Sequence, residues 1–279
     1  MDSSKESLAI NGNSGAKKIG AGILLSRLAG LLRESLLRSA LGLGPAADAF
    51  TAALRIPNLL QNLLGEGSLS SSFIPVYSKL LSEGKEKEAA NTAGAVASLL
   101  IVFTGVLTLL GIFFAKPIAK ILTPGFTSEK LDLTADLVKI TTAGIGFLVL
   151  AAWCLGVLNS HRKFFLSYVA PVVWNAAQIM ILFIAINENW NPTKTAKAAA
   201  WGLLIGGIAQ LLFQFSGVVK LRTKIRFSFS WKNVHVRDIL KRFTPAILGR
   251  GVIQISGYLD LVLASLLVTG AVAALMSAQ

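Results

Sequence analysis

Cysteine, histidine and charged side chains are all scarce in this sequence. A single cysteine, Cys154, in 279 residues excludes an internal disulfide framework and a zinc–thiolate cluster. The two histidines, His161 and His235, lie far apart and indicate no metal site. Charged residues make up 15% of the chain and hydrophobic residues 53%, whereas a soluble domain carries roughly a quarter charged residues. This composition excludes an ordinary soluble domain and predicts a polytopic membrane protein.

Acidic residues are scarcer than basic ones, 14 against 27, which gives a net charge of +13. In a soluble protein this excess would suggest a nucleic-acid partner. Here the bases lie mostly between apolar runs, where membrane topology explains them, so we expect no nucleic acid as a partner. The start of the chain also lacks the charged, apolar and small-residue order of a cleavable signal peptide. We therefore expect residues 1–18 to form a disordered cytoplasmic tail before an uncleaved first helix.

Long apolar segments fill most of the remaining sequence. Seven of them are long enough to cross a hydrocarbon core of about 30 Å, which needs roughly 20 helical residues. They run over 19–42, 46–81, 90–122, 131–159, 165–187, 196–219 and 237–268, and an eighth begins near residue 270. Because backbone polar groups find no water in lipid, all are predicted to be helices, the second interrupted at Pro57 and Gly65–Gly67. The predicted fold class is all-α, a polytopic membrane helix bundle.

The connections between these segments differ in their content of lysine and arginine. If every segment crosses the membrane, sixteen of these bases lie on the side of the N-terminus and five lie on the other side. Cytoplasmic loops carry the excess of such bases, so the N-terminus is predicted to be cytoplasmic. Trp190 and Trp201 then flank the outer interface, whereas Trp153 and Trp174 lie deeper and are predicted to be packing residues.

The second segment carries a stripe of polar residues in an otherwise apolar sequence. On an ideal helix, six of them point within about 80° of one another. They are Asp48, Thr51, Arg55, Asn58, Asn62 and Glu66. An ionised group at the middle of a bilayer costs roughly 3 kcal/mol on insertion scales, so this face cannot point at lipid. It is predicted to face a wet cavity or polar partners.

The first segment supplies a second one-sided stripe. Arg27, Glu34 and Arg38 share a face that also holds Gly30, and Arg33 points about 120° away from Arg27. Glu34 and Arg38 are four residues apart and are predicted to pair. One interpretation is a self-neutralising ion-pair network that holds two helices together. The other, which we favour because burying so many charges stabilises little, is a cavity that receives an anion. Arginine suits phosphate because its planar fork makes two parallel hydrogen bonds.

At these residues the sequence resembles the MurJ (MviN) family of lipid II flippases, within a larger group of multidrug, oligosaccharidyl-lipid and polysaccharide exporters. The matching strings are "SRLAGLLRE" at 26–34, "ADAFTAALRIPNLLQNLLGEGSLSSSFIPVYS" at 47–78, "TPGF" at 123–126 and "PAILG" at 245–249. The resemblance implies fourteen helices in two six-helix lobes and a terminal pair, which alternately open a central cationic cavity to either side. It also implies site residues: Arg27, Arg33 and Asp48 at positions tied to function, Arg55, Asn58, Glu66 and Gly67 on the family motif, with Glu34, Arg38 and Pro57 in support.

Three departures from the family pattern matter. Gln61 and Asn62 stand where many members carry an arginine pair, so one cavity cation is absent, and Arg55 or Arg38 would compensate. Members often carry another cavity arginine soon after the eighth helix begins, and this chain ends at Gln279 before it. The 279 residues are also about half of a fourteen-helix protein, so we expect a fragment or a truncated product.

The predicted domain organisation has four parts. They are the tail 1–18, a six-helix N-terminal lobe at 19–219, a basic cytoplasmic loop at 220–236, and the first helix and start of the second helix of an incomplete C-terminal lobe at 237–279. A weak internal repeat with an offset of 226, which aligns Gly44 with Gly270, supports two lobes. Asp260 lies in mid-span on segment seven, where some family members link an acidic residue to sodium. A pairing with Arg250 or with a backbone donor is the alternative.

The function that the resemblance implies is movement of lipid II across the bacterial cytoplasmic membrane by alternating access, here by a truncated half. The cargo would be undecaprenyl-pyrophosphate carrying the peptidoglycan disaccharide-pentapeptide, with coupling to sodium or protons and no other cofactor. Membrane lipids, and a second polypeptide or copy that completes the fold, are the other expected partners. The alternatives are a polysaccharide-unit flippase, a drug or cation antiporter, and a membrane scaffold that transports nothing. No phosphate-binding glycine loop or nucleophile–base pair stands out, so no enzyme is predicted.

Overall fold

The computed structural model describes residues 3–221, 225, 227–228 and 233–277. For residues 3–19, 66, 252–253, 255 and 276–277 that description is of the backbone alone. The described residues form twelve helices and no strand, as the all-α prediction requires. The helices are α1 Ser3–Leu41, α2 Pro45–Ala53, α3 Arg55–Leu64, α4 Glu66–Ser82, α5 Glu86–Phe113, α6 Ala115–Leu122, α7 Ser128–Ala143, α8 Ile145–Ser160, α9 Phe164–Asn187, α10 Pro192–Val219, α11 Val234–Ser265 and α12 Ala271–Ser277.

Helix α1 begins at Ser3, well before the predicted first segment. This differs from the disordered tail predicted for residues 1–18. Once a helix is nucleated it gains one hydrogen bond for each residue that it adds. Extending the apolar part of α1 toward the start of the chain thus needs no new nucleus.

The predicted second segment is divided into α2, α3 and α4, with breaks at Leu54 and Gly65. The first break comes three residues before Pro57, where a kink was expected. Proline has no backbone N–H, so the carbonyl of Ala53, four residues earlier, loses its helical donor. Thr141 Oγ1 on α7 donates to that carbonyl at 3.3 Å. The proline thus frees an acceptor, and a threonine of a neighbouring helix satisfies it.

Five helical stretches among the described residues are long and apolar enough to cross a membrane, judged by length and composition. They are Glu86–Phe113, Ser128–Ser160, Phe164–Asn187, Pro192–Val219 and Val234–Ser265. The predicted segments 19–42 and 46–81 are not among these five. The first carries the charged residues of the α1 stripe, and the second is divided into short helices. Both segments contain the polar residues for which a cavity was predicted.

Contacts between connections show that the segments run between two common ends. At one end, the backbone N–H of Gly125 in the α6–α7 connection donates to Ser265 Oγ at the end of α11, over 3.4 Å. The α11–α12 connection follows Ser265 and lies at the same end. Its Gly270 packs against Leu43, so the α1–α2 connection lies at this end too. Gly270 has a φ of +93°, a conformation that glycine adopts without strain.

The alternate connections meet at the opposite end. Tyr77 Oη, near the end of α4, lies 3.0 Å from His161 Nε2 in the α8–α9 connection. His235 Nε2, at the start of α11, lies 3.2 Å from Glu88 Oε2, at the start of α5. Alternation of the connections between two ends is the arrangement that successive crossings of a membrane require.

Helix α11, the predicted segment seven, packs against the preceding helices. The Arg250 guanidinium occupies the space beside Gly67 at the start of α4, where any Cβ would overlap it. Nearer the other end, Gly125 is in such close contact with Ser265 and Leu266 that a Cβ would lie 2.8 Å from Leu266 Cα. Glycines of the "GEG" and "TPGF" strings thus provide the close approach between α11 and the predicted N-terminal lobe.

Candidate functional site

A cavity of about 730 Å³ lies among α1, α2, α3, α9, α10, α12, the α1–α2 connection and the α7–α8 junction. The polar residues that line it are Arg33, Glu34, Arg38, Thr51, Arg55, Asn58, Gln61, Thr141 and Trp174. Three of these are arginines and one is an acid. The cavity wall therefore carries an excess of positive charge, as the anion-binding interpretation of the two stripes requires.

Helix α1 contributes two of the arginines, with the acid between them. Arg38 Nε donates to Glu34 Oε1 at 3.3 Å, which confirms the predicted i,i+4 pair. Arg33 Nη2 lies 3.5 Å from Glu34 Oε2, and Arg33 Nε has no hydrogen-bond partner among the described residues. The Arg33 side chain is 22% exposed and the Arg38 side chain 55%. Arg33 is thus the better shielded cation, and its donors are only partly used.

The third arginine, Arg55, lies at the start of α3, between the cavity and α11. Its guanidinium is packed so closely against Gly257 that a Cβ there would come within 3.2 Å of Nη1. Tyr258 Oη donates to the Arg55 carbonyl at 3.4 Å, and the Asp260 carboxylate attracts the guanidinium. Asp260 therefore has a cationic neighbour on α3. Arg250 is ten residues away, about 15 Å along α11, and lies against Gly67 instead.

The structure brings most of the predicted site residues to this cavity. Arg33, Glu34, Arg38, Arg55, Pro57 and Asn58 line it. Arg27 does not, although its direction on α1 matches that of Glu34. It lies six residues from Arg33, about 9 Å along the helix axis, and its residue surface is exposed. Spacing on a helix predicts direction around its axis, but it gives no information about height along that axis.

Asp48 is also absent from the cavity lining and is fully buried elsewhere. Its Oδ2 accepts the backbone N–H of Gly270 at 2.8 Å, and its Oδ1 accepts that of Ala273 at 2.9 Å. Lys130 Nζ forms an ion pair with the same carboxylate. Asp48 thus caps the start of α12, where a negative charge is favourable. The face of α2 that lines the cavity is centred near Ala47 and Thr51. Asp48 lies at the edge of the predicted polar stripe and therefore falls outside this face.

The remaining predicted residues have other positions. Gly67 accommodates the Arg250 guanidinium, as described above, and the side chain of Glu66 lies outside the described residues. Asp260 is the predicted sodium candidate. The described part of the chain contains no group of three or more His, Cys, Asp or Glu side chains that could hold a metal ion.

The sequence analysis missed Trp174 and Thr141, which line the cavity, and Lys130, which pairs with Asp48 outside it. Trp174 was predicted to be a packing residue, yet it lines the cavity, and the Arg33 guanidinium lies over its ring, 5.0 Å from the centroid. Polar Asn175 and Gln178 follow it on an otherwise apolar helix, and that cluster was the available signal. Lys130 was counted only as a base in a connection. No periodic pattern links it to Asp48, because the two are 82 residues apart.

Comparisons with known proteins place this arrangement in a family. The family model described as lipid II flippase MurJ matches residues 37–279. The probable lipid II flippase MurJ of Bdellovibrio bacteriovorus is 35% identical over 256 residues, which cover 90% of this chain and 48% of the relative. That of Rhizobium tropici is 34% identical over 269 residues, which cover 94% of this chain and 49% of the relative. The chain therefore spans about half the length of these curated relatives.

Solved structures agree with the sequence comparisons. The structure described as lipid II flippase MurJ, inward closed conformation, matches with a TM-score of 0.75 and 28% identity, covering 93% of this chain and 53% of that one. An inward-facing multidrug resistance MATE family transporter matches with a TM-score of 0.74 over 91% of this chain and 57% of its own, at 19% identity, which shows a shared fold alone. On the strength of the family model and the close relatives, the chain belongs to the family of the lipid II flippase MurJ.

Proposed function

We propose that this chain forms one lobe of a transporter that moves lipid II across the bacterial cytoplasmic membrane, and that its cavity receives the diphosphate of the cargo. The observation that carries the proposal is the cavity wall, where Arg33, Arg38 and Arg55 face one space with Glu34 as the one acid among its lining residues. Membership of a lipid II flippase family supplies the cargo class.

The chemistry of the wall suits a diphosphate. Guanidinium groups stay protonated and donate paired hydrogen bonds to phosphate oxygens. Glu34 lies between Arg33 and Arg38 and lowers the cost of holding two cations close together while the cavity is empty. A cation antiporter would need an excess of acids, so the charge of the wall argues against that alternative. Binding and movement need no covalent step, so the proposal is a transporter rather than an enzyme.

The Asp48 contact supports the alternating-access part of the proposal. Asp48 belongs to the predicted N-terminal lobe, whereas Gly270 and Ala273 belong to the predicted start of the second lobe. A cavity that opens at this end must separate α2 from α12 and therefore break these hydrogen bonds. The hydrogen bonds from α12 to Asp48 would hold that end closed until the free energy of cargo binding, or of binding a coupling ion, exceeds their contribution.

A coupling ion is part of the proposal. A proton at Asp260 would weaken the attraction between Asp260 and Arg55 and so release the guanidinium for phosphate. The chain spans about half the length of its relatives, and the second wall of the cavity would come from the other half of such a transporter, from a second polypeptide or from a second copy. The polyprenyl tail would remain among membrane lipids.

The test is binding of lipid II to the purified chain in lipid nanodiscs, measured by native mass spectrometry. We expect lipid II and undecaprenyl diphosphate to bind, and undecaprenol, which lacks phosphate, to bind much more weakly. Arg33→Gln should weaken binding of both diphosphates. Arg242→Gln is the matched control, because Arg242 pairs with Asp238 on the exposed start of α11. Equal retention of undecaprenol and the diphosphates would contradict the proposal.

A further inference from the structure

Trp174 and Arg33 form a pair that the packing interpretation of Trp174 does not explain. The Arg33 guanidinium carbon lies over the indole, 5.0 Å from the ring centroid, and both residues line the cavity. An aromatic face attracts a cation through its quadrupole. This attraction acts on the charge and leaves the N–H hydrogens of the guanidinium for other partners.

The indole is held in place by its own surroundings. Gly206 on α10 is so close to Trp174 that a Cβ there would lie 2.8 Å from the Trp174 carbonyl oxygen and 2.9 Å from its Cδ1. Helix α10 therefore packs directly against the backbone and ring of Trp174. The ring is a rigid surface, and the guanidinium that lies on it cannot move further toward the α9–α10 interface.

The donors of Arg33 are poorly used by the protein itself. Its Nη2 contact with Glu34 is long, at 3.5 Å, and its Nε is buried without a hydrogen-bond partner among the described residues. Arg38 differs, because its Nε donates to Glu34 at 3.3 Å and its side chain is more exposed. The terminal nitrogens of a guanidinium that lines the cavity, held by the protein only through this long contact, are arranged to meet an acceptor that enters the cavity.

We infer that Trp174 is a positioning residue, whose ring holds the Arg33 guanidinium at the cavity wall with its N–H groups available to an oxyanion. The inference rests on the proposed function for the identity of that oxyanion, the diphosphate of the cargo. Trp174 acts through Arg33 and does not itself contact phosphate. Its contribution is to restrict the orientations that the long arginine side chain adopts before the anion binds.

The experiment is isothermal titration of inorganic pyrophosphate into the purified chain in nanodiscs. We expect Trp174→Leu to weaken binding roughly tenfold, since it removes the aromatic face from a shielded cation. Trp174→Phe should restore most of the affinity, because it keeps a ring. Gly206→Ala, which displaces the indole without removing it, should also weaken binding. Trp201→Leu is the matched control, because Trp201 lies on α10 and is 51% exposed.

A double-mutant comparison separates positioning from packing. If Trp174 acts through Arg33, Trp174→Leu should add little to the loss already caused by Arg33→Gln. Parent-like binding by Trp174→Leu, or an equal loss in the parent and Arg33→Gln backgrounds, would show that Trp174 only packs. Failure of the parent to bind pyrophosphate would also overturn the inference.

The outcomes also distinguish this inference from the proposed function. If pyrophosphate binding depends on Trp174 but lipid II is not retained over undecaprenol, the positioning role stands and the proposed cargo is wrong. If lipid II is retained equally by the parent and Trp174→Leu, and pyrophosphate binding is equal as well, the proposed function stands and the positioning role is wrong.

Discussion

Asp48 and Gly270, which are 222 residues apart in the chain, are joined by a hydrogen bond of 2.8 Å from the backbone N–H of Gly270 to Asp48 Oδ2. The same carboxylate accepts a second N–H of α12 and pairs with Lys130. One fully buried acid thus connects three parts of the chain: α2, α7 and the start of α12.

Removal of this acid should release α12. We expect Asp48→Ala to cost about 2 kcal/mol at this contact, since hydrogen bonds to a charged group contribute roughly that much, or roughly thirtyfold in the opening equilibrium. A cysteine placed at Ala273, which is 9% exposed, would report opening by its rate of maleimide labelling. Cys154, the one native cysteine, is buried and should stay unlabelled. Asp132→Ala, which breaks an exposed pair with Lys116, is the control, and equal rates in the two variants would contradict the prediction.

We expect the effects of substitutions at Thr141 and Pro57 on stability to depend on each other, because both residues determine whether the Ala53 carbonyl has a hydrogen-bond donor. Thr141→Val removes the donor to this buried carbonyl, and we expect a loss of about 1–2 kcal/mol in stability. Pro57→Ala restores a backbone N–H four residues on from Ala53, so the double variant should recover part of the loss. Thr104→Val is the control, because Thr104 bonds only to carbonyls of its own helix. Thermal unfolding in detergent would measure all four, and additive losses in the double variant would refute the coupling.

Two glycines offer a matched test of how closely α11 docks. Gly125→Ala would force a Cβ into the backbone of Ser265 and Leu266, and overpacking of this kind costs roughly 1–3 kcal/mol. Gly105 on α5 has nothing within 4 Å of its Cβ position, so Gly105→Ala should be neutral or stabilising. We expect the unfolding temperature to fall for the first variant only. A similar unfolding temperature for both would show that α11 is free to move away from the α6–α7 connection.

The predicted cytoplasmic N-terminus has a direct test in single-cysteine labelling of intact cells. Lys163→Cys in the α8–α9 connection should resist a membrane-impermeant maleimide, because the topology places it inside. Lys194→Cys, at the start of α10 and thus at the opposite end, should react. The reverse pattern would invert the topology, and reaction at both positions would indicate a mixed orientation.

The α8–α9 connection should also make stability depend on pH. Burial lowers the pKa of His161 below its ordinary value of 6.5, with Glu86 opposing the shift and Lys163 adding to it. The unfolded chain therefore binds a proton at this histidine near pH 6.5, whereas the folded chain binds it only at lower pH. The free energy of unfolding is therefore highest above pH 6.5 and falls as the pH drops below it. We expect the unfolding temperature to fall between pH 7.5 and pH 5.5, and to fall less in His161→Gln. Identical pH profiles would count against this role.

The sequence was sufficient for features that depend on local spacing. Helix periodicity placed Glu34 and Arg38 on one stripe, both line the cavity, and their i,i+4 spacing predicted the pair that they form. Arg33, which periodicity placed about 120° away from Arg27, lines the same cavity. The partners of Asp48 could not be predicted, because they lie on α7 and α12 and meet only after folding. Arg27 shows another limit: direction around an axis follows from spacing, but the depth of a cavity follows from how neighbouring helices pack.

The break at Leu54 divides one predicted membrane segment into two helices, although Leu54 itself keeps helical backbone angles, with φ −70° and ψ −17°. Helix α2 carries Asp48 and is anchored to α7 through the Ala53 carbonyl, whereas α3 carries Arg55 and contacts α11. The group proposed to hold cargo and the group proposed to hold one end shut thus lie on opposite sides of this break. The proposed capture of cargo and the proposed opening of that end would therefore act through separate helices, and any coupling between them along the chain would pass through Leu54.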